Sequence, residues 1–85
     1  MSDLPLISGK EAVAAFQRAG WHYVRRKGSH MIMVKPGMPV NLSIPDHKEL
    51  DRGTLRKLIR LSHLSVEGFI EYLQPGVMFG IMVLL

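Results

Sequence analysis

Four histidines, His22, His30, His47 and His63, are the groups in this chain best suited to move protons near neutral pH. Only His30 stands in a setting that suggests chemistry. It follows Gly28 and Ser29, and Arg25, Arg26 and Lys27 come directly before them. An RNA strand carries its own nucleophile, the 2′-hydroxyl beside each phosphate. A minimal ribonuclease then needs a proton acceptor or donor, cations to offset developing charge, and a surface that holds the backbone in line. His30 can be the first, and Arg25, Arg26 and Lys27 can be the second. Gly28 leaves room for a phosphate to approach the backbone, and Ser29 can donate to a phosphate oxygen. The plain alternative for His30 is a polar residue on an open sheet face. His22 and His63 have no basic cluster or special turn beside them and read as surface residues.

Other chemistries find little support. No Walker loop, dinucleotide fingerprint, HExxH or GxSxG element is present. The histidines lack ligand spacing and there is no cysteine, so neither a metal site, a disulfide frame nor a cofactor is expected. The net charge of +4 is unevenly placed. From Ala12 to Pro45 there is no acidic residue, yet Arg18, Arg25, Arg26, Lys27 and Lys35 fall there, and Arg52, Arg56, Lys57 and Arg60 follow. Such placement favours polyanionic or acidic partners. MSDLPLISGK lacks the basic and apolar regions of a secretory signal, and Val77–Leu85 is shorter than the roughly 17–25 residues of a membrane helix. Together with the absence of cysteine, this points to the cytoplasm and to no membrane partner.

The elements that must position His30 are legible as patterns. Ser8 and Glu11 have capping-box spacing, Ala12, Ala15, Phe16 and Ala19 recur at helical intervals, and Gly20 supplies a left-handed stop. Trp21–Arg26 reads as a strand, Lys27-Gly28 with Ser29 as a turn, and His30–Lys35 as a second strand. Pro36–Pro39 forms another turn, and Val40–Ile44 a third strand that Pro45 ends. A polar loop, Asp46–Asp51, leads to a helix starting near Arg52 and Gly53 with Leu55, Leu58, Ile59 and Ser62 on one face. Ser65 caps a short third helix carrying Phe69, Ile70 and Leu73, stopped by Pro75-Gly76. Short turns force antiparallel neighbours, so helices should cover one face of a three-stranded sheet and leave the other open.

Register decides the face of each side chain. If Pro36–Pro39 is a four-residue loop, Lys35 faces Val40 and His30 falls opposite Pro45. Met31, Met33, Val40, Leu42 and Ile44 then share an apolar face, while His30, Ile32, Asn41 and Ser43 share the mixed one. His47, two residues beyond Pro45, would lie roughly 7–8 Å from His30 as a diagonal neighbour.

The ordered set Gly20-Trp21, Arg26-Lys27-Gly28-Ser29-His30, Ile44-Pro45-Asp46-His47, Glu49-Leu50, Gly53–Ile59, and Leu64–Glu67 with Phe69 resembles the HicA family of bacterial toxins. The resemblance covers roughly residues 5 to 74. It implies an α+β fold like that of double-stranded-RNA-binding domains, α-β-β-β-α, to which the residue pattern adds the short third helix. It also implies endoribonuclease cleavage of mRNA without a metal, and a HicB-like antitoxin partner that covers the active face. His30 matches the family's catalytic histidine, and His47 matches a recurrent Pro-x-His element, a second, supporting candidate. A catalytically silent RNA-binding module on the same basic face is the competing expectation. Residues 1–74 thus form one domain. Residues 75–85 form an apolar C-terminal extension, in which 77–85 is the candidate segment for self-association.

Overall fold

The computed structural model describes residues 4–74. The expected extension and its self-association segment lie outside the described residues. Ser8 accepts from the Glu11 amide at 3.0 Å, and the Glu11 carboxylate accepts from the Ser8 amide at 2.9 Å, so the capping box closes as expected. It opens helix α1, Gly9–Arg18, which buries Gly9, Ala12, Ala15 and Phe16. Three strands follow, β1 (His22–Lys27), β2 (His30–Val34) and β3 (Leu42–Pro45), antiparallel in the order β1-β2-β3. Helices α2 (Arg52–Leu61) and α3 (Val66–Leu73) complete the α+β fold, which has the double-stranded-RNA-binding arrangement. Asp51 and Ser65 cap them, accepting from the Thr54 and Gly68 amides. The sequence pattern places Asp51 in the loop; it is the residue that ends it.

The β2–β3 register is the expected one: His30 pairs with Pro45, Met31 with Ile44, Ile32 with Ser43 and Met33 with Leu42. Met31, Met33, Leu42 and Ile44 are all buried, and with Phe16, Leu55, Ile59 and Phe69 they belong to one core. The Phe16 and Phe69 rings meet with centroids 4.9 Å apart, joining α1 to α3 across it. Some expected strand ends need correction: Lys27 belongs to β1 and not to the turn, and Lys35 lies beyond β2. Val40 is not part of β3, which starts at Leu42, and it is exposed, because the connection from β2 spans Lys35 to Asn41 and not only Pro36 to Pro39. Trp21 precedes β1 instead of opening it, and its ring is buried. Ile32 lies on the mixed face as expected, opposite Arg25 and Ser43, and is 8% exposed.

One irregularity is not visible in the sequence pattern. Tyr23 pairs with Met33 and Arg25 with Ile32, so Val24 is the extra residue of a bulge in the edge strand β1. The bulge decides which of the following basic residues points to which face.

Candidate functional site

Lys27 pairs with His30, so only Gly28 and Ser29 separate β1 from β2. Gly28 has φ +60 and Ser29 is not in the left-handed region, the pattern of a two-residue turn with glycine first. A Cβ at Gly28 would meet no atom within 4 Å, so the glycine serves its own backbone conformation and leaves the turn's outer side open. The turn is tied to the end of β3, where the Asp46 amide donates to the Ser29 carbonyl at 2.8 Å.

Residues paired across strands share a face. His30 and Lys27 are therefore on the same side, with Pro45 on the opposite flank of His30. Arg25, opposite Ile32, shares this side, and so does Ser43. His30, Lys27 and Arg25 are all exposed, on the face that the core does not occupy. Neither the Arg25 nor the Lys27 side chain is bonded to another described residue.

Arg26 behaves differently. It pairs with Met31 and so faces the other side. There its guanidinium donates through Nε to the Gly28 carbonyl at 3.1 Å and through a terminal nitrogen to Asp46 Oδ2 at 2.8 Å. The Asp46 side chain is 17% exposed in this pair and that of Arg26 49%. The Arg26 hydrogen bond holds the Asp46 carboxyl below the usual carboxylate range; partial burial opposes this, and the charges of Lys10, Arg26 and His47 add to it. Arg26 and Asp46 thus join the β1–β2 turn to the end of β3, the two segments that flank His30. Asp46 is absent from the residues that sequence pattern selects for the site. Its signal was available: it is the first acid after Glu11, placed directly behind the proline that faces His30.

His47 is exposed, and its carbonyl accepts from the Gly9 amide at 2.9 Å. The residue pairing of β2 with β3 ends at Pro45, and beyond it the His47 backbone is fastened to the start of α1. His22 is exposed at the far end of β1, opposite Val34. His63 has φ +65 just beyond α2, at a helix stop where glycine is usual, and is exposed. Among the described residues, no group of three or more histidine or acidic side chains is placed to hold a metal ion. No helix among them is long and apolar enough to cross a membrane.

A small α+β domain that displays an exposed histidine and unpaired cations on an open sheet face is the class this architecture defines. Residues 9–64 match the HicA toxin family of bacterial toxin–antitoxin systems. The chain belongs to the HicA toxin family, and that membership makes it the toxin of a pair with an antitoxin. None of the curated proteins matches it.

Proposed function

We propose that the protein is a metal-independent endoribonuclease acting on mRNA, with His30 as general acid or base. The observation that carries this reading is the position of His30. It is exposed at the start of β2, beside a two-residue turn, with Lys27 across one strand and Arg25 on the same open face. In the reaction a 2′-oxygen attacks its adjacent phosphorus and the bond to the 5′-oxygen breaks, leaving a 2′,3′-cyclic phosphate and a 5′-hydroxyl. One proton leaves the 2′-hydroxyl and one reaches the departing 5′-oxygen. His30 takes the first or supplies the second, while Lys27 and Arg25 offset charge on the phosphate oxygens. Gly28 and Ser29 shape the turn over which the backbone passes. Arg26 contributes by holding that turn to Asp46. His47 is proposed as a supporting group, and a HicB-like antitoxin as the protein that covers the open face.

The test is cleavage of labelled RNA by the purified toxin in EDTA. His30→Ala is expected to lower the rate by about 10²–10⁴-fold with an unchanged melting temperature. Cleavage by the folded variant at the wild-type rate would refute the assignment. A wild-type protein that binds RNA in EDTA without cutting it would establish the silent binding module instead. His47→Ala should lower the rate as well; wild-type kinetics there would confine the chemistry to His30.

A further inference from the structure

Next to the open face, between β3 and α2, lies a cavity of about 250 Å³ lined by Asn41, Ser43, Thr54, Lys57, Leu58 and Leu61. Its lining has two characters. Leu58 is buried and Leu61 partly so, giving an apolar surface. Asn41, Ser43, Thr54 and Lys57 bring an amide, two hydroxyls and an ammonium, and none of these four side-chain groups is bonded to another described residue. The flanking helix, RGTLRKLIRL, contains no acid and exposes Arg56, Lys57 and Arg60.

The cavity is close to His30. Ser43 pairs with Ile32, and His30 pairs with Pro45, so Ser43 is a diagonal neighbour of His30 on one face. Such neighbours are separated by about 7–8 Å. A simple anion would use Lys57 and the hydroxyls but has no use for the leucines. A purely apolar ligand would leave Asn41 and Ser43 facing it unpaired. A nucleotide uses both: its base has an apolar ring face and an edge of mixed donors and acceptors, and its phosphate is anionic.

We propose that this cavity is a base-reading pocket for a nucleotide flanking the scissile linkage, so that RNA sequence preference is set here and not at His30. The base rests against Leu58 and Leu61, Asn41 and Ser43 bond its edge, and Lys57 meets its backbone phosphate. The proposal rests on the nuclease reading for its place beside the cut, but the pocket itself is tested by binding as well as by cleavage.

The experiment compares wild type, Asn41→Ala/Ser43→Ala and Lys57→Ala on RNAs that vary one base at a time near the cleavage point. The same RNAs are titrated against each form in a non-cleaving His30→Ala background. The double variant should lose discrimination at one position, by about 5- to 150-fold, the worth of a good base-edge contact. Lys57→Ala should weaken all sequences alike and lower the slope of log affinity against log salt by about 0.7. Equal preference in wild type and the double variant, in both cleavage and binding, overturns the proposal. So does loss of antitoxin binding by the double variant with RNA preference intact, because the cavity would then be a protein contact. If wild type cuts no RNA, the nuclease reading fails while the binding titration still decides whether the pocket reads a base.

Discussion

Gly9 offers a sharp test of how the site is held, because two physical effects predict opposite signs for Gly9→Ala. It is the first residue of α1, and helix propensity alone would favour alanine there by up to about 1 kcal/mol. The structure says otherwise. A Cβ on Gly9 would stand 2.0 Å from the Pro45 carbonyl oxygen, 3.0 Å from its carbon and 3.2 Å from the Asp46 Cα. All three are backbone atoms, so no side chain can swing aside. Non-bonded atoms are best placed at about 3.5–4.0 Å, so α1 and the end of β3 must separate by more than about 1 Å. That movement also stretches the bond from the Gly9 amide to the His47 carbonyl. Overpacking of this kind costs about 1–3 kcal/mol, and a lost hydrogen bond about 0.5–1.5 kcal/mol. Setting the propensity gain against these leaves a net loss of about 1–3 kcal/mol, or a melting temperature lower by about 5–20 °C in so small a domain. Thermal unfolding followed by circular dichroism reads the difference directly. A variant as stable as wild type, or more so, would refute the close approach of α1 to β3. Because Pro45 and Asp46 flank His30, the folded fraction of the variant should also cut RNA more slowly than wild type.

Replacing Arg25 and Lys27 together with alanine should lower the salt slope of RNA binding by about 1.4, two phosphate contacts at about 0.7 each on a single strand. Arg26→Ala should leave that slope nearly unchanged, and an equal effect would refute the separation of faces. Asp46 carries a carboxyl held below its ordinary value of 3.8, so its contribution is present above that pH and is lost as pH falls through the lowered folded value. The stability gap between wild type and Asp46→Asn should therefore be flat near neutrality and close in acid; a gap that widens in acid would contradict the pair. Phe69→Ala should cost about 3–5 kcal/mol in denaturant unfolding, since its ring is fully buried against Phe16. His63→Gly should raise the melting temperature by relieving a left-handed residue worth about 1 kcal/mol, with no effect expected on RNA cleavage.

The fold was legible wherever two independent signals coincided. The capping box and the alanine spacing marked α1, and the division of the paired positions into an apolar face, Met31, Met33, Leu42 and Ile44, and a mixed one supported the β2–β3 register. Where a single signal stood alone, it misled. Val40 is apolar and sits near a strand, but a longer turn leaves it outside the ladder. The bulge at Val24 has no sequence mark, because every residue of β1 is exposed and no buried alternation pins its register. For the same reason Arg25, Arg26 and Lys27 look equivalent as a string. The pairing of Arg26 with Asp46 joins residues twenty positions apart, and only the closed sheet brings them into reach.

The cations of the chain are not equally free to meet a ligand. Four of the eleven lysines and arginines are engaged within the described frame: Arg18 donates to the Tyr72 carbonyl, Arg26 to Asp46, Lys35 to the Ala19 carbonyl and Arg52 to the Leu4 carbonyl. Arg18 and Lys35 meet the C-terminal ends of α3 and α1, where a positive charge is favoured by the helix dipole. The count of eleven cations therefore overstates how many side chains are free to meet a polyanion. Among the seven others, Arg25 and Lys27 lie on the open side at β1, and Lys57 on α2 lies beside Ser43 at the far edge. His30 lies between these two groups. On the proposed reading, an RNA strand that meets both must cross the sheet transversely, from the β1–β2 turn over His30 to the edge of β3. A strand running parallel to β2 would meet one basic group and leave the other unused.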